Sequence, residues 1–101
     1  MSKTSKQKII KSLLESAFNI HLLEITNESY MHNVPKDSET HFKVILVSND
    51  FTNLALVKRH KAVYDTLKDI MNQIHALSLH IFDIDEYKLN HDVQDSPQCV
   101  N

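Results

Sequence analysis

Ile9, Ile10, Leu13, Leu14, Ala17 and Phe18 recur at intervals of three and four, which predicts an amphipathic helix over about residues 5–18. Thr4 and Gln7 stand at capping-box spacing before it. The period then changes to two. Leu23 and Ile25 alternate with Glu24 and Thr26 in the segment 22–27, and residues 41–48 are rich in β-branched and aromatic side chains, so both read as strands. Between them Glu28 to Thr40 is polar and long, and loops beyond ~12 residues are more often functional than idle. After Ser48-Asn49-Asp50, a stripe of Leu56, His60, Val63, Leu67, Ile70 and Ile74 predicts a helix, broken near residue 57, that runs to about Gln73. Leu77, Leu79 and Ile81 then alternate with Ala76, Ser78 and His80, so 75–82 is a third strand opened by His75. Asp83 and Glu86 form a second capping box that opens a short final helix. Residues 90–101 have no period and contain Pro97, which predicts a flexible tail behind a domain over 1–89. The order α-β-β-α-α-β-α is that of an α+β protein, with helices packed in one layer over a small three-stranded mixed sheet.

Composition removes more functions than it suggests. At 101 residues, with 42% hydrophobic content, the chain has room for one modest core and no second domain. A formal net charge of -2 gives no bulk field to draw it onto DNA. Glycine is absent, which excludes the P-loop, the GxGxxG fingerprint, the nucleophile elbow and the GxxG clamp of ordinary KH modules. Asn33, Asn49 and Asn53 are left as candidates for left-handed backbone positions. The lone Cys99 cannot form an internal disulfide or a CxxC site, which fits a reducing, cytoplasmic compartment. The lysine-bearing start lacks the apolar run of a secretory signal, and no segment is apolar enough to span a membrane. No nucleophile–base pair is spaced for catalysis, so a binding role is expected rather than an enzymatic one.

The chemistry that remains is imidazole and cation. Seven histidines are many for this length, and imidazole is a good ligand for transition metals near neutral pH. His60 falls on the apolar stripe and reads as a buried, hydrogen-bonded residue, whereas His80, His21 and His91 read as solvated. His75, at the start of a strand, His32, in the long loop beside Pro35, and His41, at the end of that loop, are the ligand candidates. The run Lys58-Arg59-His60-Lys61 offers Lys58, Arg59 and Lys61 as phosphate contacts, or else a solvated helix face. Lys3, Lys6, Lys8 and Lys11 extend that basic surface if the first helix lies beside the long one.

The runs Glu28-Ser29-Tyr30-Met31-His32-Asn33-Val34-Pro35 and Ser38-Glu39-Thr40-His41-Phe42-Lys43-Val44 resemble the signature of the BolA family. Arg59-His60-Lys61, Ile74-His75-Ala76-Leu77-Ser78-Leu79-His80 and Ser96-Pro97-Gln98-Cys99 continue the resemblance in order and spacing over nearly the whole chain. Only the tail departs, having Gln98 where relatives often show a second proline. The resemblance implies a KH-like type II fold and two roles, the first the leading reading and the second the alternative. One is partnership with a monothiol CGFS glutaredoxin around a [2Fe–2S] cluster shared with glutathione, in iron–sulfur and redox homeostasis and the stress response. The other is transcriptional regulation by binding promoter DNA. The family's cluster ligands fall on His32 and His75. The cluster is not needed for folding, and His41 and His60 remain structural or surface groups under this reading.

Overall fold

Side-chain pattern and backbone accounting explain the architecture of the computed structural model, which describes residues 5–31, 35 and 38–95, with the side chains of 90–95 left aside. Helix α1 spans Lys6–Ala17 and is capped by Ser5, whose side chain accepts the Lys8 N–H at 3.1 Å. The cap therefore stands one residue later than the Thr4–Gln7 spacing suggests, and Thr4 lies outside the described residues. Gln7 is turned to another use: its amide donates to the Ile25 carbonyl at 2.9 Å and ties α1 to the first strand.

Strand β1 (Leu22–Asn27) pairs antiparallel with β2 (His41–Val47), and β2 pairs parallel with β3 (Ala76–Phe82), so β2 is central. A parallel pair needs a crossover, supplied here by α2 (Leu56–Met71). The register stacks Ile25, Val44 and Leu79 in one row and Leu23, Leu46 and Ile81 in the next. These rows face Ile10 and Leu14 of α1 and Val63, Leu67 and Ile70 of α2, all buried. The opposite face carries exposed Glu24, Thr26, Ser78 and His80 beside half-buried Lys43 and Ile45. The predicted layering, with helices over one face of a mixed sheet, is therefore the observed one.

Three local readings need correction. Before α2 there is no separate α-helix among the described residues and no break at residue 57. Asn49–Phe51 forms a single 3₁₀ turn capped by Ser48, and Asn53 takes the left-handed conformation at φ 63°, which lets the chain turn without glycine. Asn53 is the only positive-φ residue among those described, so Asn49 does not take that role and Asn33 lies outside them. The buried residue on the first turns of α2 is Arg59 rather than His60 or Leu56. His60 is half-buried, and Leu56 is exposed, bordering a shallow pocket with Ile81, Phe82 and Glu86. Finally, α3 runs over Ile84–Asp95, past the Asn90 boundary that the lost periodicity suggests. Its capping box is reciprocal: the Asp83 N–H donates to Glu86 and the Glu86 N–H donates to Asp83, both at 2.8 Å.

His80 sits on the open sheet face, and its imidazole is held below its usual range by partial desolvation and then by Lys43, against a smaller opposing pull from Glu28. The unfolded chain thus takes up this proton at a higher pH than the folded one. Stability is full above the ordinary imidazole range and declines as pH falls through it. His80→Gln is expected to flatten the pH dependence of the urea midpoint across about pH 5 to 8, the interval in which histidine titrates. An unchanged dependence would assign the acid sensitivity to other groups.

Candidate functional site

The long loop leaves β1 and returns to β2, and a buried hydroxyl draws its two ends together. Ser29 is 3% exposed, and its Oγ accepts the Thr40 N–H at 2.9 Å and the His41 N–H at 3.1 Å. Asn27 orients it, because the Asn27 side-chain oxygen accepts the Ser29 N–H at 3.0 Å while its amide donates to the Ser38 carbonyl at 2.9 Å. The Glu28 N–H donates to the His41 carbonyl at 2.7 Å. With every one of these donors satisfied, the ends of the loop are fixed to the sheet. The 3₁₀ turn Ser29–Met31 leaves Tyr30 and Met31 exposed on the loop's first limb.

The same pinning reaches β3. The Thr40 carbonyl accepts the His75 N–H at 2.7 Å and the Ala76 N–H at 3.0 Å, so the residue that ends the loop also anchors the start of the last strand. His75 precedes the first strand residue and is exposed, outside the core edge that its parity with Leu77 suggests. Its ring lies against that of His41, with centroids 4.9 Å apart and a tilt of 40°. His41 is half-buried, and its Nδ1 is 2.7 Å from the Thr40 hydroxyl. Thus His75 and His41, far apart in sequence, meet at one end of the sheet. His32 and Cys99 lie outside the described residues, as does the side chain of His91. Among the described residues no group of three or more His, Cys, Asp or Glu side chains is placed to hold a metal ion.

The basic run divides. Lys58 is exposed, and Lys61 is exposed and pairs with Asp65 one turn on at 2.9 Å. Arg59 points the other way and is no part of that surface. Its Nε donates to the Leu54 carbonyl at 2.6 Å, and its two terminal nitrogens hold the Glu86 carboxylate at 2.6 and 3.1 Å. A residue with its donors turned inward cannot neutralise a phosphate, so Arg59 is withdrawn from the candidate contacts. Helix α1 lies beside α2, and Lys8 and Lys11 border a groove of about 470 Å³ over Leu23 and Ile25 of β1.

Ser29 and Glu86 are the residues that motif reading passes over. Asn27 two positions before Ser29 is an Asx-turn signal, and Glu86 is legible only as a cap. No described helix is long and apolar enough to cross a membrane.

A family model described as BolA-like protein matches residues 14–86. The DNA-binding transcriptional regulator BolA of Escherichia coli is 45% identical over 92 residues, covering 89% of this chain and 88% of the relative. The protein of the same name from Haemophilus influenzae is 42% identical over 98 residues, covering 95% of each chain. Among solved structures, BolA1 from Arabidopsis thaliana superposes with a TM-score of 0.77 at 33% identity, covering 83% of this chain and 98% of that one. BolA1 from Mus musculus gives 0.79 at 31% identity, covering 100% and 89%.

Proposed function

Because the chain belongs to the BolA-like protein family, we propose that it is a DNA-binding transcriptional regulator of the kind its bacterial relatives are named for. The observation that carries this reading is their similarity over about nine-tenths of both chains. Lys58 and Lys61, exposed on the first turns of α2, are the cations available to contact phosphate. With an overall charge of -2, binding rests on this local patch and is weak and salt-sensitive. The test is fluorescence anisotropy with a labelled duplex at several salt concentrations. Lys58→Glu/Lys61→Glu is expected to weaken binding about tenfold and to reduce the salt slope by about two, roughly one per lysine. Single-stranded RNA is expected to bind poorly in the same assay. Unchanged affinity and slope would make the patch a solvated helix face.

A second reading is favoured by the placement of His75: the protein is an adaptor that shares a [2Fe–2S] cluster with a monothiol glutaredoxin and glutathione, and is not itself an enzyme. His75 is exposed on a strand end fixed by the Thr40 carbonyl, and no hydrogen bond to its ring nitrogens occurs among the described residues. Such an imidazole fits iron, since histidine replaces thiolate in Rieske-type centres. His32 is the second ligand in this reading. The cluster, when bound, supplies an iron that accepts imidazole nitrogen and a redox centre whose potential the ligands set. Exposed Tyr30 and Met31 add apolar surface on the same loop for a protein partner.

A further inference from the structure

We propose that the free edge of β1 and the groove beside α1 bind an extended segment of another protein, with acidic side chains at alternate positions, which joins the sheet as a fourth strand. The first support is the contrast between the two edges of the sheet. On β3 the outward carbonyls of Leu77 and Ile81 are taken by side chains of α2: the Tyr64 hydroxyl donates to the first at 3.3 Å and Arg59 to the second at 3.5 Å. That edge is partly capped by the chain itself.

The edge of β1 is more open. The Glu28 N–H turns inward to the His41 carbonyl, so the alternation of an antiparallel ladder turns the backbone groups of Leu23 and Ile25 outward. Gln7 shows the same direction, since its amide reaches the Ile25 carbonyl from α1 at 2.9 Å. Among the described residues the Leu23 N–H and carbonyl and the Ile25 N–H have no protein partner. Outward groups in such a row are the template on which an extended peptide adds to a sheet.

The second support is charge complementarity. The groove of about 470 Å³ has Leu23 and Ile25 on one side and Ser5, Gln7, Lys8 and Lys11 on the other. Both lysines are exposed, and neither makes an ion pair among the described residues, not even Lys11 with Glu15 one turn on. The Glu39 carboxylate is engaged at the helix start, where it accepts the Lys6 N–H at 3.1 Å. Lys8 and Lys11, three residues apart on a helix, stand about 5–6 Å from each other at Cβ. Side chains on one face of a strand repeat about every 6.6–6.8 Å, so carboxylates at two alternate positions reach both lysines. A second copy of this chain fits poorly, because pairing two β1 edges would bring the lysines of both copies to the same side of the joint. Duplex DNA would engage the lysines but leave the β1 backbone groups and the apolar side of the groove unused. The surface uses none of the residues assigned to DNA or to the cluster.

The test uses the full chain and a capped, fluorescein-labelled hexapeptide that alternates glutamate with valine. Anisotropy gives the affinity, and two-dimensional NMR follows the Leu23 and Ile25 amides. Saturable binding that weakens with salt is expected, with shifts and slowed hydrogen exchange at both amides. Lys8→Glu/Lys11→Glu should weaken it at least about tenfold, with circular dichroism and the urea midpoint establishing that the variant is folded. A peptide with lysine in place of glutamate should not bind. Successive peptide amides point to opposite sides of a strand, so N-methylating one alternate set should cost about tenfold and N-methylating the other should not. Absence of saturable binding overturns the proposal, as does wild-type affinity in the folded lysine variant, equal binding of the lysine peptide, or equal affinity of the two N-methylated forms. Duplex DNA that shifts the same two amides in place of the peptide would assign the groove to nucleic acid, and shifts on concentrating the protein alone would assign the edge to a second copy; either result overturns the peptide.

Discussion

Arg59→Ala is expected to lower the unfolding free energy by about 3–4 kcal/mol, because it removes one side of a largely buried charged network. For a domain of this size that is a fall on the order of 15–25 °C in Tm. The Arg59 side chain is 5% exposed, and its guanidinium joins three elements: the Leu54 carbonyl before α2, the Ile81 carbonyl of β3 at 3.5 Å, and Glu86 at the start of α3. Alanine removes the guanidinium from the Leu54 and Ile81 carbonyls, leaves Glu86 with the Asp83 N–H in place of a charged partner, and opens a cavity beneath the first turn of α2. Arg59→Lys should lose most of the same energy, since an ammonium cannot hold both carboxylate oxygens. Glu86→Ala should cost less, about 2 kcal/mol, because the Glu86 side chain is 42% exposed and water reaches part of the site. Hydrogen bonding from Arg59, and then from the Asp83 N–H, holds the Glu86 carboxyl below its usual range. The folded state therefore releases this proton at a lower pH than the unfolded state. The contribution is complete above the unfolded value and disappears as pH falls through the folded one. Glu86→Gln should remove that portion of acid destabilisation in chemical denaturation. A cost for Arg59→Ala below about 1 kcal/mol would return Arg59 to the class of surface cations.

His75→Ala is expected to abolish the visible circular dichroism of a mixed cluster formed with a monothiol glutaredoxin. His32→Ala should leave a weaker, labile remnant. The difference in severity follows from the anchoring of His75, whose backbone N–H donates to the Thr40 carbonyl at a fixed strand end. One iron of a [2Fe–2S] centre can take two imidazoles in place of thiolates, so losing the anchored one removes the site on which the second depends. The unloaded proteins should still associate, because the exposed Tyr30 and Met31 are unaltered. If the His32→Ala/His75→Ala double variant keeps the wild-type spectrum and cluster lifetime, these two residues are not the ligands.

The element order was legible because each element carries its own period. The alternation of Leu23 and Ile25 with polar neighbours, the three-and-four spacing of α1, and the Asp83–Glu86 pair are short-range signals, and all three recur in the structure. The family was legible for a related reason: its motifs are continuous stretches of chain, and residues 14–86 match the family model.

Side-chain direction at the ends of elements was not legible. Periodicity assigns a face, but the packing of neighbours decides how far along a helix that face is covered. Leu56 lies on the apolar stripe yet stays exposed, while Arg59 turns inward because Glu86, distant in sequence, waits there with a carboxylate. Ser29 looked like one polar loop residue among several until Thr40 and His41 returned to its hydroxyl. By itself the sequence determined the elements, the layering and the family, since these follow from local period and contiguous motif. Only the tertiary structure decided that Arg59 is a core residue and that His41 meets His75, because both depend on contacts between segments that no local pattern encodes.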